Sequence, residues 1–137
     1  MNLYGIKVVP AEWELDMPIP FTQAEHELAR DTIENGTRVL VFKGSPVNAL
    51  VAEGEVHGFF IRPAEWTASA TDGLPPSIAN ADYLLTLGVL MSRSTDASMF
   101  SLEEVRRALD DSTFPRRDGE WRPLDDEHYR RLIRDWP

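Results

Sequence analysis

Three histidines are the first candidates for chemistry in this chain, and their spacing argues against a metal. His26, His57 and His128 stand far apart, and none has a second ligand at a metal-like distance along the chain. Zinc wants three or four convergent nitrogen or sulfur ligands. Cysteine is absent, which removes thiolate metal sites, thiol catalysis and disulfides together. Carboxylates come in adjacent pairs: Glu103 with Glu104, Asp110 with Asp111, Asp125 with Asp126. Neighbours on a helix point in different directions, so these pairs read as caps and solvated faces rather than acid–base couples. No nucleophile elbow, P-loop or dinucleotide fingerprint occurs. What remains is aromatic. Trp13 and Trp66 lie in near-identical settings, Pro10-Ala11-Glu12-Trp13 and Pro63-Ala64-Glu65-Trp66. A tryptophan in a polar loop either anchors that loop onto the core or walls a pocket in which an extruded base stacks.

The elements that must position these residues are mixed. Leu3 to Val9 has strand character and stops at Pro10, and Pro18 and Pro20 hold the next segment extended. Thr22-Gln23-Ala24-Glu25 has the form of a capping box. With Ala24, Leu28, Ala29, Thr32 and Ile33 on one face and Gly36 at the stop, it predicts a helix from about residue 23 to 34. Arg38 to Phe42 is rich in β-formers, Lys43-Gly44-Ser45-Pro46 is a turn, and Asn48 to Phe60 reads as an antiparallel return. Gly54 and Gly58 inside that return suggest bulges or close approach of another group. Residues 63–82 form a long connection, a feature often functional in a compact domain. Tyr83 to Met91 returns to strand pattern. A second capping box, Ser101 to Glu104, opens a helix with Leu102, Val105, Ala108 and Leu109 inward. Phe114 to Trp121 connects it to a last helix capped by Asp125, with Leu124 against Tyr129 as a staple. The absence of repeated strand–helix alternation argues against a doubly wound sheet. The fold class expected is α+β: a curved, mostly antiparallel β-barrel with peripheral helices.

The 137 residues fit one domain spanning 1–137. The formal net charge of −9 argues against broad electrostatic binding of nucleic acid, since Lys and Arg supply that affinity. The late third softens this. All nine basic residues from 93 onward are arginine, the side chain suited to bidentate phosphate or carboxylate contact. The bland alternative is a solvated pair of mixed-charge helices. The N-terminus does not read as a signal peptide, and no apolar run reaches the roughly 18 residues of a spanning helix. A cytoplasmic protein without a membrane role is the expectation.

One resemblance covers nearly the whole chain. Gly36-Thr37-Arg38-Val39-Leu40-Val41-Phe42-Lys43-Gly44-Ser45, followed by Ala49 to Val56, resembles the core of the EVE domain, a member of the PUA-like superfamily. That family has a G-D-x-V-x-F-Y-H-S strand and then a strand of the I-V-G-I-A-E-V type. Phe114 to Tyr129 is similar to its R-x-x-x-x-x-P-L-x-x-E-x-F ending. Lys43 stands where the family has His, Gly44 shifts the register, and the early W-x-G-V-R-N string is missing.

The resemblance implies a PUA-like β-barrel with a pocket for one flipped base, no catalysis and no cofactor. Carried onto this chain, Phe42, Lys43 and Ser45 match the pocket segment, and Arg116 or Arg117 matches the basic residue before the last helix. Trp13 and Trp66 join them as pocket walls, and Arg116 with Arg117 as phosphate contacts. The partner implied is a modified DNA or RNA base; the net charge of −9 predicts weak binding by the isolated domain, so a fused or partner protein is expected to add affinity. Two other readings stay open: a structural or protein-interaction module, and a small RNA-processing hydrolase on a PUA-like fold.

Overall fold

The computed structural model describes residues 4–65, 73–92 and 100–135. The two apolar, β-branched runs at 4–9 and 38–43 form β1 (Tyr4–Val9) and β3 (Arg38–Lys43). They lie parallel, with Ile6 opposite Leu40. Parallel neighbours need a crossover, and residues 10–37 provide it. That segment holds β2 (Ile19–Phe21) and α1 (Gln23–Ala29). β4 (Ala49–Val56) then returns antiparallel to β3. β6 (Leu87–Ser92) and the short β7 (Phe100–Ser101) both pair with β4, and β8 (Trp121–Leu124) pairs with β1. The sheet order is β6-β4-β3-β1-β8, and β2 makes a separate antiparallel ribbon with β5 (Tyr83–Leu85). Among the described residues the sheet keeps two edges, so the barrel expected from sequence is not closed. The class is α+β, with a mixed sheet in which, among the described residues, only the β1–β3 pairing is parallel.

Strand periodicity divides the core. Ile6, Val8, Leu40 and Phe42 point to one face, where α3 (Leu102–Leu109) and α4 (Asp126–Asp135) cover them. Val9, Val39 and Val41 point to the other, under the β2–β5 ribbon, α1, Trp13 and the short α2 (Pro76–Ala79).

The helix starts follow their caps. Ser101 and Glu104 satisfy each other's backbone N–H groups at the start of α3. Asp125 accepts from the His128 N–H at 2.7 Å, and Leu124 and Tyr129 are buried in one cluster. At α1 the Thr22 hydroxyl accepts from the Glu25 N–H at 3.1 Å, but Glu25 does not reach back. Its carboxylate is turned inward to Arg117 and to the Trp121 N–H. That tertiary demand rotates the helix, so Glu25 and Ala29 are buried while Leu28 is 57% exposed. The helix ends at Ala29 instead of near residue 34; the Thr32 hydroxyl donates to the Ala29 carbonyl and the chain turns away. The return strand also ends early, at Val56, because Gly58 adopts φ +98°. Gly54 sits at a register shift, where a Cβ would come within 3.0 Å of the Gly88 carbonyl oxygen.

Candidate functional site

A cleft of about 570 Å³ opens where β1 and β3 end side by side. Because these strands are parallel, both chains turn away at the same end, and the Gly44 N–H donates to the Val9 carbonyl at 2.8 Å to hold the two turns together. Pro10 to Glu12 and Gly44-Ser45 line it. So do Phe21, Thr22, Ser77 of α2, Asn80 just after that helix, and Asp118-Gly119. Its lining thus mixes hydroxyl, amide and carboxylate residues with proline and the apolar side chains of Val8, Val9 and Phe21. Thr22 is fixed by its capping role, and Asp82, also on the cleft, accepts from the Gln23 N–H at 2.7 Å.

Lys7 lines this cleft and is only 1% exposed. Its ammonium donates to the Gly119 carbonyl and lies 4.3 Å from the centroid of the Phe21 ring. Burial pushes its pKa down to about 7 against the pull of Glu25, and nearby Arg117 adds to the lowering. Near neutrality the group is thus shared between ammonium donor and free amine. The Lys7–Glu25–Arg117 cluster ties the floor of the cleft to α1 and to the segment before β8.

The sequence-derived site residues separate in space. Ser45 lines the cleft. Lys43 is buried at the end of β3. Phe42 does not line the cleft: its ring lies on the helix-covered face, edge-on to Phe114 at 5.3 Å, while its neighbour Val41 takes the other face of the alternation. Trp13 is 1% exposed, and its indole N–H donates to the Pro18 carbonyl at 3.2 Å. It anchors the loop whose backbone walls the cleft, and does not itself line it. Trp66 lies outside the described residues. Arg116 pairs with Asp111 at 3.1 Å, and Arg117 pairs with Glu25. Both guanidinium groups already face carboxylates. Hydrogen bonds from Thr113, with Arg122 beside it, hold Asp111 well below the usual carboxylate range.

Sequence reasoning missed Lys7, Thr22 and Asp82. For Lys7 a signal existed: Gly5-Ile6-Lys7-Val8-Val9 is an apolar strand with one lysine at an inward position. Thr22 was read only as a cap. Asp82 had no local signal, since its place depends on the β2–β5 pairing. Among the described residues no group of three or more His, Asp or Glu is arranged to hold a metal, and no helix is long and apolar enough to cross a membrane.

No family model matches the chain, and no curated protein matches it by sequence. Solved structures do share its fold. The NMR structure of Rpa0253 from Rhodopseudomonas palustris superposes with a TM-score of 0.56 at 13% identity, covering 95% of this chain and 91% of that one. An ASCH crystal structure from Zymomonas mobilis gives 0.55 at 8% identity, covering 96% of each chain. The YTH domain of Zygosaccharomyces rouxii MRB1, solved in complex with N6-methyladenosine RNA, gives 0.57 at 9% identity, covering 96% of this chain and 85% of that one. The chain thus shares its fold with an ASCH structure and with a YTH domain.

Proposed function

We propose that this chain is an EVE-type, non-catalytic nucleic-acid-binding module whose cleft takes a single extruded, modified base. One observation carries the proposal: the cleft of about 570 Å³ at the paired ends of β1 and β3, within the roughly 300–1,000 Å³ of small-molecule sites. Its chemistry favours a base over a phosphate. Glu12, Asp82 and Asp118 accept hydrogen bonds from exocyclic amino and ring N–H groups, and Ser45, Ser77 and Asn80 add neutral donors and acceptors. A phosphate would be repelled by the three carboxylates. Extruding a base costs a few kcal/mol, least from a single strand or a weakened pair, so single-stranded DNA or RNA is the favoured source. At net −9 the isolated domain binds weakly, and a protein partner would add affinity. The fold likeness to a YTH domain supports this reading at the level of architecture.

The test is calorimetric titration with modified and unmodified nucleosides and short oligonucleotides at low salt, on the wild-type chain and on Ser77→Phe. Ser77 is exposed at the mouth of the cleft, so the phenylalanine narrows the opening without entering the core. Binding that persists in Ser77→Phe would move the ligand out of this cleft.

A second reading has one observation in its favour. Lys7, with its pKa near 7 inside a cleft, has the proton affinity of a general acid–base group, as a small hydrolase would need. Turnover of a bound nucleoside or RNA that Lys7→Met abolishes, with binding kept, would replace the non-catalytic reading.

A further inference from the structure

Outside the cleft, the molecule carries one stretch of surface that an acidic, self-contained domain does not need. Phe59 is 82% exposed. It is not on a loose tip: Gly58, at φ +98°, turns the chain there and donates its N–H to the Asn35 side chain at 2.7 Å. Phe60 follows, edge-on to His26 at 4.7 Å and to Phe21 at 5.0 Å. His26 stacks flat on Tyr83 at 3.7 Å with 12° between the planes. The Arg62 guanidinium lies 4.6 Å from the Tyr83 centroid and donates to its hydroxyl at 2.9 Å. At the far end, Arg30, Ile33 and Phe59 line a concavity of about 430 Å³.

Two features of this stripe point to its partner. First, its cations carry no ion pair among the described residues, a state they share with Arg106 and Arg107 of α3 but not with six other arginines. Arg38, Arg116, Arg117, Arg122, Arg130 and Arg131 each face a carboxylate. Arg30 and Arg62 have no carboxylate partner among the described residues. Both bear on His26, whose pKa is lowered by burial first and then by these two guanidinium groups against Glu27. Glu34 is the one carboxylate lining the concavity. Second, the stripe is continuous with the cleft. Thr22 and Asp82 line the cleft; Thr22 caps α1, which carries His26, and Asp82 directly precedes Tyr83, the first residue of β5.

We infer that this stripe, from Tyr83 and His26 through Phe60 to Phe59 with Arg62 and Arg30 beside it, is a docking track for single-stranded nucleic acid. It carries the nucleotides that flank the one whose base enters the cleft, and to that extent it rests on the base-binding reading. The exposed Phe59 ring accepts one stacked base of any sequence, and the Arg62 and Arg30 guanidinium groups meet the phosphates beside it. An apolar protein segment would cover Phe59 but leave both arginines without a counter-charge; a single strand uses both.

The experiment is fluorescence anisotropy with a labelled short single strand of mixed sequence, as RNA and as DNA, on wild type, Phe59→Ala, Phe59→Trp and Arg62→Gln. Because Phe59 is exposed, its removal leaves the melting curve unchanged. Phe59→Ala weakens oligonucleotide binding by about 5- to 150-fold, the range for loss of one base–aromatic stack, and Phe59→Trp restores it. Arg62→Gln weakens binding and flattens its salt dependence. Nucleoside binding to the cleft is unaffected by all three. Absence of oligonucleotide binding in wild type, or equal binding by Phe59→Ala, overturns the inference. So does a dimer of this chain that Phe59→Ala dissociates. If Ser77→Phe leaves binding intact while Phe59→Ala weakens it, the cleft reading fails and the track stands.

Discussion

A lysine inside an apolar strand must either find counter-charge or give up its proton. Lys7 has a carbonyl, a ring face and one carboxylate at longer range, and these leave its pKa at about 7. Below that pH the folded and unfolded chains both hold the proton, and the burial penalty is present in full. As pH rises through 7 the folded chain releases it, while the unfolded lysine keeps its own up to its ordinary value of 10.5. The unfolded state then binds more protons, so stability rises across that window and levels off above it. Lys7→Met removes the titration. Urea midpoints at pH 6 and pH 9 should show a rise for wild type that the variant lacks. Equal slopes in the two proteins would mean Lys7 titrates as an exposed lysine does.

Elements are joined here by a few buried polar contacts and close approaches. Glu25 links α1 to the segment before β8, accepting from Arg117 and from the buried Trp121 N–H at 3.0 Å. Its side chain is 4% exposed while that of Arg117 is 46% exposed, so most of its worth lies in the backbone contact. Glu25→Ala orphans that N–H and should cost about 2–4 kcal/mol in chemical denaturation. A loss of under about 1 kcal/mol would mark the pair as an ordinary surface bridge. The same corner depends on Gly5. The Trp121 indole packs against it, so a Cβ would sit 2.0 Å from the ring, and the indole N–H is pinned to the Thr32 hydroxyl at 2.9 Å. Gly5→Ala must push the ring aside and should destabilise by roughly 1–3 kcal/mol. Tryptophan emission shifted to longer wavelength would report the displaced indole; an unchanged spectrum and melting temperature would show that the ring yields freely.

On the scale of the whole molecule, charge is mostly spent locally. The chain is −9 overall, and most of its late arginines answer nearby carboxylates: Arg116 and Arg122 that of Asp111, Arg117 that of Glu25, Arg130 and Arg131 those one turn back on α4. Little positive field remains to steer a polyanion, so binding should depend on base contacts more than on phosphates. With Arg30 and Arg62 as the two phosphate contacts, log K against log salt for a single strand should have a slope of about −1.4. A slope several-fold steeper would place the phosphates on the α3–α4 arginines instead, where the solvated-face reading had left them.

Much of the scaffold was legible because local rules govern it. The period-two runs at 4–9 and 38–43, the Ser101–Glu104 box and the Asp125 cap need only near neighbours along the chain, and each formed as its residues dictate. Phe42 shows where such rules stop. The turn after it marked the right end of the sheet, and Ser45 lies on the cleft, yet alternation sends the Phe42 ring to the helix-covered face. Trp13 was legible as a loop tryptophan with two possible roles, and packing under the ribbon decided for the core. The cleft itself exists only in three dimensions. It needs the parallel register of β1 and β3, the β2–β5 pairing that brings Asp82 beside Gln23, and Gly119 returning over Lys7 across 112 positions of sequence. Sequence alone determined the main strands and where the long helices start, because caps and hydrophobic period are set within a few residues, whereas the end of α1 and the strands β2 and β8 waited on tertiary contacts. Tertiary structure alone decided which side chains share a site, because that depends on contacts between segments whose separation along the chain leaves no local trace.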